Sequence, residues 1–142
     1  MSVDPGRQLV DTNVLVYAHD RSAGAKGTAA RQLIGDLWSS GAGCLSVQIL
    51  LEFYVVVTRT VRRILDPSAA ADVVADLATW HVHAPTAVDA MATIVLQGRH
   101  KIALWDAMIL RSADQLGCRV VWSEDLGDGQ SYDGITVRNP FA

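Results

Sequence analysis

The stretch LWDAMILRSADQLGCRVVWSED, residues 104–125, decides the architecture. Its first half predicts a helix over Trp105–Leu116, with Gly117 in the position where a left-handed residue commonly ends a helix. Val120, Val121 and Trp122 follow with almost no polar content, the composition of a parallel strand covered on both faces. One acid, Asp106, opens the helix. Another, Asp125, stands just past the strand.

The alternation continues in both directions. Gln8–Asp11 reads as a strand, followed by a turn and a helix from Asn13 to His19. Thr28–Ser39 places Leu33, Ile34, Leu37 and Trp38 on one stripe of an amphipathic helix. The GAG at 41–43 is a turn, and Cys44-Leu45 a second strand. Ser46 is a plausible cap for a long helix running to Leu65, where Asp66-Pro67 stops it. Ser68 can cap the next helix, with Asp72 and Asp76 on its polar face. His81–Ala84 reads as a strand, Val88–Gly98 as a helix and Ile135–Arg138 as the last strand, after a polar, glycine-rich loop. Strands alternating with helices predict an α/β fold, a central parallel β-sheet flanked by α-helices on both faces.

The chain has 142 residues, which favours one domain over residues 1–142. Half are apolar and 19% charged, so the chain is not a disordered one. Glu52 interrupts the best apolar run, Ile49–Val57, leaving nothing long enough for a membrane span. MSVDPGRQLV lacks the basic start and long apolar stretch of a signal peptide, so the expected location is the cytoplasm. Cys44 and Cys118 read as buried free thiols. The formal charge of −3 gives no support for nucleic-acid binding, although two bound divalent ions would turn it into +1.

Four acids stand in apolar surroundings: Asp11 in LVDTNVLVY, Glu52 in ILLEFYVVV, Asp106 in ALWDAMIL, and Asp125 between VVWSE and a leucine. Burying an unpaired carboxylate costs several kcal/mol, roughly, so such groups need a cation. No lysine or arginine lies within three residues of Asp11, or within four of Glu52 or Asp125. A hard divalent cation is the economical partner. Asp11 and Asp125 follow strands, while Glu52 and Asp106 lie near the starts of helices, so all four can meet at the carboxyl edge of the sheet. The competing reading separates them into an N-cap, a turn aspartate and two internal ion pairs.

These segments also carry a family pattern. LVDTNVLVYA (9–18), LSVQILLEFYVVVTR (45–59), LWDAMILRSADQLGC (104–118) and VVWSEDLGDGQSYDGITVRNPF (120–141) resemble the PIN-domain family, and within it the toxin nucleases of VapBC-type toxin–antitoxin pairs. The resemblance implies a PIN-like fold and Mg²⁺- or Mn²⁺-dependent cleavage of RNA phosphodiester bonds. It also implies a VapB-like antitoxin partner and pairing into a homodimer. It assigns Asp11, Glu52, Asp106 and Asp125 as catalytic, metal-binding acids, with Thr12, Asn13 and Ser123 as polar residues beside them. Asp11 and Asp106 would hold the principal metal, Glu52 and Asp125 would complete the site, and Asn13 or Ser123 would orient water. Glu124, adjacent to Asp125, is a second candidate for the fourth acid, but the S-x-D pattern favours Asp125.

Two rival functions are an inactive PIN-like binding module and an aspartyl-nucleophile phosphohydrolase with Asp11 as nucleophile. The latter chemistry wants a second acid two residues on, where Asn13 stands. Offsets of 7 and 11 from Glu52 would put Arg59 and Arg63 near one helix face, about 10 and 16 Å along the axis. With Arg62 they could follow an RNA phosphate path, grip an antitoxin, or simply complement the helix dipole. Arg99, His100 and Lys101 form a similar basic patch. His81 and His83 would share a strand face as surface histidines, since a zinc site lacks further ligands. The four tryptophans read as core or interface residues, with Trp105 the candidate for stacking near the site.

Overall fold

The structure is a computed structural model and describes residues 6–142. The first five residues of the stretch examined for a signal peptide lie outside the described residues. A six-stranded sheet is ordered β3-β2-β1-β4-β6-β5. Its strands are β1 Gln8–Val10, β2 Gly43–Ser46, β3 His81–His83, β4 Val120–Trp122, β5 Ser131–Tyr132 and β6 Ile135–Arg138. All pairings are parallel except the hairpin of β5 with β6. That hairpin lies at the end of the stretch expected to be a loop. Gly134, with φ 87°, turns the chain there.

Six helices flank the sheet among the described residues: α1 Thr12–His19, α2 Ala25–Ser40, α3 Val47–Val57, α4 Pro67–Leu77, α5 Ala87–His100 and α6 Leu104–Gln115. Leu9, Val10, Leu45, Val121 and Val137 of the strands are fully buried with Val14 and Leu15 of α1 and Ile49, Phe53 and Val57 of α3. This alternating α/β architecture is the one the apolar pattern predicts.

The long helix expected from Ser46 to Leu65 is corrected. Ser46 does cap it, accepting from Ile49 N–H at 3.1 Å, but α3 ends at Val57. The Thr58 hydroxyl donates to the Tyr54 carbonyl at 2.6 Å, and both Ile64 N and Leu65 N donate to the Val57 carbonyl at 3.0 Å. Apolar anchoring of Ile64 and Leu65 thus folds residues 58–66 back over the helix end, with Arg62 in the left-handed region at φ 57°. Arg59 and Arg63 therefore do not share a helix face with Glu52. Asp66, not Ser68, caps α4, accepting from Ala69 N–H at 2.8 Å with Pro67 in the first turn.

His83 is not a surface histidine. It is half-buried and bonded to the Ser112 hydroxyl at 2.8 Å, whereas His81 is exposed. Cys44 and Cys118 are buried free thiols. Trp80 and Trp122 are half-buried, but Trp38 and Trp105 are exposed. Within the GAG turn, Gly41 ends α2 in the left-handed region and Gly43 serves a different need. A Cβ on Gly43 would lie 2.4 Å from the Trp80 ring. Gly43→Ala should therefore cost about 1–3 kcal/mol of stability, as overpacking does. Denaturant unfolding measures this, and an unchanged midpoint would refute the packing.

Candidate active site

The strand order reverses beside β1: β2 and β3 lie on one side, and β4 and β6 on the other. In open α/β sheets the crevice at such a reversal is where ligands bind. Val10 pairs with Trp122, and Asp11 N–H donates to the Trp122 carbonyl at 2.9 Å, so Asp11 and Ser123 leave the sheet side by side.

Hydrogen bonds link three of the acids, Asp11, Asp125 and Glu52, into a ring around the crevice. Asp11 caps α1: one carboxylate oxygen accepts from Thr12 N–H at 2.7 Å, the other from the Ser123 hydroxyl at 2.8 Å. Ser123 Oγ also accepts from Asp125 N–H at 3.1 Å, which curls the loop after β4 back toward the crevice. The Asn13 amide then donates to Asp125 at 3.0 Å. On α3, Glu52 accepts from the Thr12 hydroxyl at 2.9 Å and from the Gln48 amide, one turn before it, also at 2.9 Å. Asp106 lies half-buried in the first turn of α6.

The electrostatics match this convergence. Asp11 is 6% exposed, and its carboxyl is pushed up to about 6. Burial is the main cause and outweighs the bonds from Ser123 and Thr12; the charges of Asp125 and Asp106 add to it. Asp106 is also raised, by burial first and then by Asp125 and Glu52. Among the described residues, none of the four acids forms an ion pair.

Asp89 shows what a buried structural acid looks like in the same molecule. It is 5% exposed, yet it accepts from Thr86 N–H and Arg111 Nε, each at 2.8 Å, and lies 3.2 Å from His83 Nε2. The Thr86 bond, then Arg111, hold its carboxyl down to about 2. Sequence reasoning missed this cluster. Thr86 three residues before Asp89 is a helix-start pattern that could have pointed to it.

Glu124 turns away from the ring to pair with Lys26 and to accept from the Tyr17 hydroxyl at 3.0 Å. The Lys26 ammonium holds its carboxyl below the usual range. Arg99 and His100, expected in an open basic patch, pair with Asp133 at 2.7 and 3.2 Å.

No three His, Cys, Asp or Glu side chains form a ready-made metal cage among the described residues. The four acids instead make a looser ring: Thr12, Asn13 and Ser123 join Asp11, Glu52 and Asp125, and Asp106 faces them through charge alone. Its donors are all carboxylate oxygens, and Asn13 Oδ1 beside them is buried with no hydrogen-bond partner. That donor set fits a hard divalent cation such as Mg²⁺ or Mn²⁺.

The PIN-domain family model matches residues 9–127, which hold all four acids. The chain belongs to the PIN-domain family. Comparison with curated proteins returns no match. Solved structures similar to this PIN domain include a toxin–antitoxin complex from Klebsiella pneumoniae, 20% identical over 94% of this chain and 97% of that one, TM-score 0.68. The sarcin–ricin loop cleaving toxin VapC20 of Mycobacterium tuberculosis is 21% identical over 80% and 86%, TM-score 0.61. DNA-bound VapBC from Salmonella typhimurium is 19% identical over 95% and 98%, TM-score 0.65. At these identities the likeness is one of fold.

Proposed function

We propose that this PIN domain is a metal-dependent ribonuclease, the toxin of a type II toxin–antitoxin pair, which hydrolyses RNA phosphodiester bonds in the cytoplasm as a single domain over residues 1–142. The observation that carries the reading is the convergence of Asp11, Glu52, Asp106 and Asp125, without a basic partner, at the strand-order reversal. The toxins among the similar structures support it.

Asp11 and Asp106 would hold the principal Mg²⁺ or Mn²⁺, with Glu52 and Asp125 completing the site. When bound, the cation supplies positive charge that eases ionisation of water and departure of the leaving oxygen. The chain's own polar residues set the geometry. Thr12 and Gln48 each bond one oxygen of Glu52, which fixes its carboxylate plane. Ser123 Oγ is already committed, donating to Asp11 and accepting from Asp125 N–H. Asn13 Oδ1 is the open acceptor and would orient the attacking water by accepting its proton in a hydrogen bond. The amide of Asn13 positions Asp125, a role unlike that of the second acid in an aspartyl-nucleophile phosphohydrolase.

Leu51 and Val55 of α3 and Val88, Met91, Ile94 and Val95 of α5 are exposed. Apolar surface of this kind marks protein contacts, which supports both a VapB-like antitoxin and a second copy of the chain as partners. The enzymatic test is RNA cleavage by purified protein. Cleavage should require Mg²⁺ or Mn²⁺, fall to background in EDTA and return when Mn²⁺ is restored. Full cleavage in EDTA would refute the metal centre, and no cleavage with either ion would leave the inactive-module reading.

A further inference from the structure

The sharp end of α3 creates a feature that the acid ring does not use. The folded-back segment 58–66 meets the end of α1 around a cavity of about 1060 Å³ lined by Arg21, Arg59, Arg62 and Arg63 together with His19 and Asp20. All four arginines are exposed, and none of them forms an ion pair among the described residues. The single acid, Asp20, is already bonded by the Ser22 N–H at 2.9 Å and the Ser22 hydroxyl at 2.6 Å. In a chain of net charge −3, four guanidinium groups against one carboxylate around a cavity are a local binding field for a polyanion.

Arg59 links this cavity to the Glu52 side of the acid ring. That residue also lines a neighbouring groove of about 650 Å³ shared with Thr12, Glu52, Leu51, Val55 and Trp105. Trp105 is 61% exposed there. A basic pocket, an apolar groove and an exposed indole in sequence are the parts that hold a single strand: cations for phosphates, a ring for base stacking.

We propose that the Arg21/Arg59/Arg62/Arg63 pocket is a phosphate-binding exosite, which grips the single-stranded RNA leading away from the scissile bond across the Trp105 groove. This rests on the RNA reading above and extends it to substrate binding remote from the acids. A second basic field is needed because the acid ring itself repels RNA. An acidic protein segment is the competing occupant, but Arg59, shared with the groove that Glu52 lines, favours a strand that reaches both.

The test is direct binding in EDTA, where the nuclease reaction is silent, of the whole protein to a labelled unstructured 20-nucleotide RNA (about that length) between 50 and 200 mM salt. Arg62→Gln/Arg63→Gln is compared with Arg31→Gln/Arg119→Gln, which changes net charge equally at exposed positions elsewhere. Losing two phosphate contacts should make the slope of log affinity against log salt shallower by about 1.4, an affinity change about sevenfold smaller over that salt range. The control pair should keep the wild-type slope. Equal slopes in the two pairs would overturn the exosite, as would absence of RNA binding by wild type, whatever the cleavage assay shows. Unchanged RNA binding with loss of inhibition by the antitoxin would assign the pocket to an acidic protein segment and likewise overturn it. Thermal melting of both pairs verifies that each is folded.

Discussion

Asp11→Asn should reduce RNA cleavage by at least about a hundredfold, the scale on which a group stabilising transition-state charge acts, and should relieve growth arrest when the chain is expressed without its antitoxin. Asp11 is the most buried of the four acids, and its carboxylate bonds to residues following both central strands of the crevice. The substitution keeps an acceptor for Thr12 N–H and the shape of the side chain, so the fold should survive. Stability separates loss of chemistry from loss of structure. With divalent ions removed by EDTA, the Asp11 carboxyl sits at about 6 against an ordinary 3.8. The folded chain then holds this proton more tightly than the unfolded chain does. The stability contributed by Asp11 is present below about pH 4 and is lost as pH rises through about 6, on the order of 3 kcal/mol in all. Asp11→Asn carries no such proton. In EDTA it should match or exceed wild type near neutral pH and lack that pH dependence. A variant that accumulates normally, melts normally and remains equally toxic would remove Asp11 from the site.

Asp106→Asn should reverse its rank against wild type when metal is added. Burial and the charges of Asp125 and Glu52 raise the Asp106 carboxyl, so its ionised form is strained in the folded chain. It makes no ion pair among the described residues that the substitution could break. In EDTA the variant should therefore be at least as stable as wild type. Saturating Mn²⁺ at a hundred times its dissociation constant adds about 2.7 kcal/mol to a protein that binds it only when folded. Wild type should gain most of that, and the variant little. Thermal melting of both proteins in the two conditions decides the matter. Strong destabilisation in EDTA with the metal shift intact would make Asp106 a structural residue.

The alternation of apolar segments was enough to read every strand but β5 and most helices, because strand and helix periods are local properties of the chain. Helix ends were less legible. Val55 to Leu65 continues in residue types that a helix tolerates, and only the docking of Ile64 and Leu65 against the end of α3 stops it at Val57. The same event took Arg59 and Arg63 off a supposed helix face and set them, with Arg62, in the wall of a cavity.

The acids show where sequence suffices and where it does not. Asp11, Glu52, Asp106 and Asp125 stand out because an ionisable residue in an apolar run is a local anomaly. Whether each has a counter-charge is a question about residues distant along the chain. Asp89 was indistinguishable from a surface helix acid until Arg111 and His83 came to meet it. Glu124 and Asp125 are neighbours with the same charge, yet Lys26 claims the first and Asn13 the second. The sequence by itself determined the α/β alternation and the four misplaced carboxylates, since both follow from polarity read over a few residues. Tertiary structure alone decided which acids are paired, because the pairing of charges depends on distances through space that only the folded chain sets.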